Sequence, residues 1–260
     1  MDFMKELLGI RNRISSCDYD DYREYIAGKK VAIVGPSPSE KDNGEFIDSY
    51  DIVIRFSNAI EFIPFEKDIA ANIGSKSHVI YFVPTAAERY FKRKKIWENA
   101  ENAGLKIIRI SWDIEDGIKS RPATKKYNTV MEAYEDYFSD SEVTPYYSSE
   151  LNRFLQEYMS EIKGKHTIPR AGMLAAAECF AYGASEIYLS NMTFYHGGTN
   201  IFRKDSVNDL KPNQYHNGKN VDWHDSDLEL EMLWTLIKYP ETNISYDKMM
   251  ETVLLKQGLA

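Results

Sequence analysis

The chain has 260 residues, 43% of them hydrophobic and 28% charged, with a formal net charge of −8. That apolar share suits one substantial core and argues against a disordered chain. The acidic balance argues against a protein that coats nucleic acid, because neutralising phosphates needs a basic surface; a small anionic ligand needs only a local pocket of donors.

The first fifteen residues carry charges throughout and offer no signal-peptide apolar stretch. No window approaches the roughly 20 apolar residues that span a bilayer, so any membrane association is expected to be peripheral. Cys17 and Cys179 form no pair-of-pairs spacing, which argues against a structural zinc site. One disulfide between them is possible, but nothing else suggests an oxidising compartment, and they read rather as two free thiols in a cytoplasmic protein. Five strands are predicted in chain order: Lys30–Val34, Asp51–Phe56, His78–Phe82, Lys106–Ile110 and Glu186–Leu189. Near-continuous apolar runs of this length suit strands buried on both faces of a parallel sheet. Between them lie helical patterns at Ala86–Ala103, closed by Gly104, at Ser148–Ile162, and at Gly172–Tyr182, closed by Gly183. The alternation predicts a single α/β domain with a Rossmann-like, doubly wound, mostly parallel sheet. Residues 111–147 mix Lys, Asp, Glu and Tyr with little periodicity, and read as a candidate lid or acceptor-binding insertion, or as a surface excursion.

Ligands of such sheets bind outside the carboxyl ends of the strands. Here that rule selects Gly35–Ser39, Phe56–Asn58, Val83–Thr85 and Ser190–Tyr195. Gly35-Pro36-Ser37-Pro38-Ser39 lacks the G-x-G-x-x-G of dinucleotide binders, and its two prolines remove backbone donors. It offers rigidity and the hydroxyls of Ser37 and Ser39. Further on, Ser226-x-x-Glu229 has capping-box spacing and predicts a helix start, with Met232, Leu233, Leu236 and Ile237 as its apolar stripe. His224 lies two residues before that start. A positive helix end disfavours imidazolium, whereas Asp222, Asp225 and Asp227 favour it.

The segment from Asn43 to Ala59, read with the preceding glycine loop, resembles the long sialylmotif of animal-type sialyltransferases, in which "VVGNS" precedes "G..ID..D.VIR.N.A". The likeness continues through Lys67-Asp68 and Ile73-Gly74-Ser75-Lys76-Ser77-His78, similar to "DVG.KTT". Ile168-Pro169-Arg170-Ala171-Gly172-Met173-Leu174 and the following alanine-rich helix resemble the short sialylmotif. With Gly183–Tyr195 they are also similar to the bacterial sialyltransferases, "SG…A…A..LG..EIYLSG.DFY". His224 and Glu229 match the H-x-x-x-x-E of the very short sialylmotif.

This resemblance implies a sialyltransferase fold of the GT-A-variant type over residues 1–260. It implies an inverting transferase that moves a sialic acid or related ulosonic acid from a CMP-activated donor to a glycan acceptor. His224 would be the general base, without a metal or other cofactor. Gly35, Ser37, Ser39, Asn58, Arg170, Gly172, Tyr195 and His216 would hold the donor nucleotide and phosphate. A homo-oligomer is compatible with all of this.

The sequence departs from the pattern at several positions. Pro36 stands where both families place an Asn, Ala171 where a Ser or Thr precedes the glycine, and Val83 where the bacterial family has Asn. Ile201 or Phe202 lies where that family has a second tyrosine, and the cysteine pair joining the animal-type motifs is missing. Arg170, whose guanidinium can grip a carboxylate or phosphate, offers a replacement for lost donors; as a surface charge at a helix start it would have no such role. The polar losses also keep open a non-catalytic nucleotide-sugar or glycan-binding relative. An NAD-binding protein is disfavoured by the absent G-x-G-x-x-G.

Overall fold

A computed structural model describes residues 2–16, 21–37, 42–82, 93–111, 141–146, 150–194, 196 and 224–260. Among the described residues the strands are β1 (Lys30–Val34), β2 (Ile52–Phe56), β3 (Val79–Phe82), β4 (Ile107–Ile110), β5 (Thr144–Tyr146), β6 (Glu186–Ser190) and β7 (Ile244–Tyr246). They form one sheet of order β5-β4-β3-β2-β1-β6-β7. Every neighbouring pair is parallel. β1 lies between β2 and β6, with Ala32 opposite both Val53 and Tyr188. The chain runs outward from β1 to β5 and then crosses to β6, so the switch point of the topology falls between β1 and β6.

The apolar runs alternate between two helical layers. Val31, Ile33, Ile52, Ile54, Val79, Tyr81, Ile107, Ile187 and Leu189 face one layer. That layer is built from α1 (Phe3–Ser16), α2 (Asp21–Ile26), α6 (Glu150–Lys163), α7 (Ala171–Ala181), α8 (Ser226–Lys238) and α9 (Lys248–Lys256). Ala32, Val34, Val53, Ile80, Phe82, Ile108, Ile110 and Tyr188 face the other. There the cover comes from α3 (Gly44–Asp48), a 3₁₀ helix (Ser57–Phe62), α4 (Lys67–Ile73) and α5 (Lys94–Asn102). Both faces of the sheet are therefore dry, which is why its strands read as apolar runs rather than as alternating ones.

α7 is alanine-rich and buried from Met173 to Ala181, so its backbone can lie close to the central strands. It carries one buried acid. Glu178 grips the Arg109 guanidinium at 2.5 Å and accepts from the Tyr81 hydroxyl at 2.6 Å, and that hydroxyl meets Tyr22 Oη at 2.8 Å. Burial opposes the Arg109 charge, but Glu178 outweighs it and holds the guanidinium above its ordinary value. Burial, with Glu178 nearby, pushes the Tyr81 hydroxyl well up. The group is fully hydrogen-bonded, as a desolvated charge pair must be to persist.

Two strands differ from the sequence expectation. β5 falls within residues 111–147, so the end of that stretch forms a sheet edge; residues 112–140 lie outside the described residues. β7 follows α8. Both are only three residues long and half-exposed, and a three-residue edge strand leaves too short a pattern to read. Helix bounds shift slightly, to Ala171–Ala181 and Glu150–Lys163, and the described helix before Gly104 is Lys94–Asn102.

Candidate active site

The β1–β6 switch point gathers the first set of expected residues. Gly35 directly follows β1, and its amide donates to the Ser190 carbonyl at 2.8 Å. A Cβ at Gly35 would collide with the Asn191 carbonyl, so the close approach of these two loops requires glycine. Ser37 continues the contact: its amide donates to the Asn191 carbonyl at 3.1 Å and its hydroxyl meets Thr193 Oγ1 at 3.3 Å. The β6 loop is fixed in turn by Asp247, which accepts from the Asn191 amide at 2.7 Å and the Ser190 hydroxyl at 3.0 Å. Asn191 holds a left-handed φ of 58° and Phe194 one of 47°. Asn191 and Phe194 thus bound a tight turn after β6.

Gly172 joins this cluster from α7. The Cβ position there lies 2.6 Å from the Met192 methyl, 3.9 Å from the Phe194 ring and 4.0 Å from the Phe56 ring. Phe56 ends β2, and half-buried Asn58 sits two residues on, in the 3₁₀ helix. The carboxyl ends of β1, β2 and β6 and the amino end of α7 therefore meet. Ser39, Tyr195 and His216, with Val83–Thr85, lie outside the described residues.

His224 approaches from α8. Its Nδ1 is 2.7 Å from the Ile168 carbonyl oxygen, two residues before Arg170. A carbonyl can only accept, so Nδ1 carries the hydrogen and, in the neutral ring, Nε2 is the basic nitrogen. This fixes both tautomer and ring orientation, the arrangement a histidine base needs.

The helix start differs from the capping-box expectation. Asp225, not Ser226, is the N-cap of α8, and its carboxylate accepts from the Leu228 amide at 2.9 Å. Asp225 also pairs with Lys163 at 2.6 Å. Burial opposes its ionisation, but the lysine and the amide outweigh burial and hold it below the ordinary carboxylate range. Glu229, freed from capping, reaches back to α7. It accepts from the Arg170 amide at 3.1 Å and meets the Arg170 guanidinium at 3.3 Å. Fully buried, its carboxyl is pushed up to about 7, with burial overriding the arginine. Arg170 is correspondingly no surface charge, since its side chain is 13% exposed. Sequence spacing could not distinguish a Glu that caps its own helix from one that anchors a neighbouring helix.

Asp225-Ser226-Asp227 has Asp-x-Asp spacing, as does Asp18-Tyr19-Asp20, which lies outside the described residues. In the structure the carboxylates of Asp225 and Asp227 have separate partners: Asp225 the lysine and its helix, Asp227 the His196 ring at 3.4 Å. Among the described residues no three His, Cys, Asp or Glu side chains gather as a metal-ligand set.

Much of the long motif proves to be scaffold. Asp48 accepts from the amides of Ser75 and Lys76 and from the Ser75 hydroxyl, at 2.7–3.0 Å. Arg55 donates to the carbonyls of Ile73, Gly74 and Lys76 at 2.8–3.0 Å and lies over the Phe65 ring. Burial lowers the Arg55 guanidinium to about 9, against the pull of Asp48. Together they clamp the turn after α4 onto β2, the strand that presents Asn58.

The model of glycosyltransferase family 29 (sialyltransferase) matches residues 27–179, more than half of the chain. The chain belongs to this sialyltransferase family. A mouse type 2 lactosamine alpha-2,3-sialyltransferase is 24% identical over an alignment that covers 79% of this chain. The chain spans 64% of that relative's length. Among solved structures, the monofunctional alpha-2,3-sialyltransferase Cst-I of Campylobacter jejuni superposes with a TM-score of 0.54 at 20% identity. That match covers 84% of this chain and 75% of the other. The C. jejuni sialyltransferase CstII, in complex with cytidine-5'-monophosphate, gives 0.52 at 20% identity, covering 85% of this chain and 80% of the other. These structural likenesses carry the fold. The family match also removes the NAD-binding alternative.

Proposed function

We propose that this family 29 chain transfers a sialic acid or related ulosonic acid from a CMP-activated donor to a glycan hydroxyl, with His224 as general base and without a metal. One observation carries the reading: the 2.7 Å contact of His224 Nδ1 with the Ile168 carbonyl, beside the amino end of α7, which leaves Nε2 as the basic nitrogen. Support for the donor comes from family membership and from the CstII complexes with CMP and with CMP-3FNeuAc.

In the proposed reaction the acceptor hydroxyl loses its proton to His224 Nε2 as its oxygen bonds to the anomeric carbon. The bond from that carbon to the phosphate oxygen breaks on the opposite face, CMP leaves, and the anomeric centre inverts. Departing phosphate needs hydrogen-bond donors. Ser37, Ser39, Tyr195 and His216 are assigned that part; Asn58 is assigned to the nucleotide.

The test is transfer from CMP-sialic acid and CMP-Kdo to a panel of glycan acceptors in excess EDTA, with CMP binding followed by calorimetry. The reading predicts CMP binding and full turnover in EDTA. Absence of CMP binding overturns the donor assignment; loss of turnover in EDTA with recovery on adding magnesium or manganese overturns the metal-free mechanism.

A further inference from the structure

A buried carboxyl outside the proposed chemistry reaches the site from the far end of the chain. Asp247 directly follows β7, and its amide donates to the Leu189 carbonyl at 3.1 Å, extending the β6–β7 ladder by one bond. The residue is buried. One carboxyl oxygen caps α9, accepting from the Met250 amide at 2.8 Å. The other takes the Asn191 amide at 2.7 Å and the Ser190 hydroxyl at 3.0 Å. Capping a helix needs only the first oxygen; the second serves the loop after β6.

The opposite end of α9 meets the same loop further along. Gln257 is the C-cap, and its side-chain amide lies 2.9 Å from His196 Nδ1. The His196 amide in turn donates to the Thr193 carbonyl at 2.8 Å. At 1.5 Å per residue the nine residues of α9 make a rod of about 14 Å. One short helix thus holds this loop at Ser190 and Asn191 with its first residues and at His196 with its last.

The loop carries this hold across to β1. Asn191 has a left-handed φ of 58°, which a residue other than glycine keeps only where its surroundings fix it. With its amide taken by Asp247, its carbonyl accepts from the Ser37 amide at 3.1 Å. Two residues on, Thr193 Oγ1 meets the Ser37 hydroxyl at 3.3 Å. Asp247, Asn191 and Ser37 therefore form a continuous hydrogen-bonded path. Ser37 is a donor assigned above to the departing phosphate, and such a donor acts only where it is aimed at the developing charge.

Resting on the CMP-donor reading, we propose that Asp247 is a positioning residue, which through Asn191 aims the Ser37 hydroxyl at the departing phosphate. α9 is the brace, with Gln257 and His196 as its second attachment. Asp247 itself touches no substrate in this role.

Two measurements test this: turnover with CMP-sialic acid, and amide hydrogen exchange of the free protein by NMR. Asp247→Ser and Asp247→Asn both keep a capping group for α9. Serine is too short to hold the loop as well, and asparagine replaces one acceptor oxygen by a donor. Each is made alone and with Ser37→Ala, with far-UV dichroism to confirm folding. A misplaced catalytic group should lower kcat about tenfold to a hundredfold in Asp247→Ser, with the acceptor KM changed by less than about twofold. In the Ser37→Ala background the same substitution should cost less than about twofold, because the two residues act through one path. The Asn191 amide should exchange faster in Asp247→Ser. Unchanged kcat in the folded variant would leave Asp247 as a helix cap only. Full additivity with Ser37→Ala would mean that it acts elsewhere, and either result overturns the proposal. If Asp247→Ser does not fold, the isosteric Asp247→Asn decides by the same comparisons. Absence of turnover in the wild type would strike the CMP-donor reading, whereas unchanged Asn191 exchange would strike the brace whatever the donor.

Discussion

His224, Asn58 and Glu229 show how single side chains divide the work. The role proposed for His224 depends on one hydrogen bond that sets its tautomer, and that bond comes from the loop before α7, not from α8 itself. Asn58 stands just past β2, half-buried, where an amide can pair with a nucleotide edge. Asn58→Ala should weaken CMP binding by about 1–3 kcal/mol; unchanged calorimetric affinity would remove Asn58 from the site. Glu229 makes a prediction in pH. Its carboxyl sits at about 7 when folded, against an ordinary 4.5, with burial as the main cause. The folded state therefore binds that proton more tightly than the unfolded state. The contribution is fully present below pH 4.5 and is lost as pH rises through 7. Urea unfolding of the wild type should show a decline over this window, on the order of 3 kcal/mol, that Glu229→Gln lacks. Identical pH profiles for the two proteins would mean that the buried carboxyl does not titrate as described.

At the scale of elements, the loops between strands decide where chemistry can occur. Gly35 lets the β1 and β6 loops touch, because any Cβ would meet the Asn191 carbonyl. Gly35→Ala must push those loops apart, costing about 1–3 kcal/mol by urea unfolding and weakening CMP binding with it. A variant of wild-type stability and affinity would show that the loops do not need this contact. The same elements explain what the sequence disclosed. The five long apolar strands were legible because burial on both faces leaves no polar alternation to confuse them. β5 and β7 were not, since three edge residues carry no periodicity. The lysine and histidine partners of Asp225 and Asp227 were equally invisible. The capping-box pattern at Ser226 and Glu229 misled, because spacing along one helix says nothing about an arginine 59 residues away. The motif residues Asp48 and Arg55 were read as part of a functional signature. Their hydrogen bonds make them the clamp beneath Asn58.

Across the whole molecule, one parallel sheet with dry faces supports a polar site at its switch point. The buried set of Tyr22, Tyr81, Arg109 and Glu178 ties α7 to β3 and β4, so the helix whose amino end meets the site is anchored through its middle to the core. α8 is then tied to α7 by Glu229 and by His224 itself. His224, the amino end of α7 and the loops of β1, β2 and β6 are thus linked by direct contacts, the preorganisation that the proposed catalysis requires. The central claim is that this arrangement exists to deprotonate a glycan hydroxyl through His224. The most direct measurement is turnover of His224→Ala with a CMP-activated ulosonic acid and its acceptor, alongside CMP affinity for the same variant. General-base catalysis contributes about 10²–10⁴-fold, so kcat should fall by about that factor. CMP affinity should stay near that of the wild type, because the proton moves only in the transition state. Turnover near the wild-type value in a folded His224→Ala protein would contradict the account.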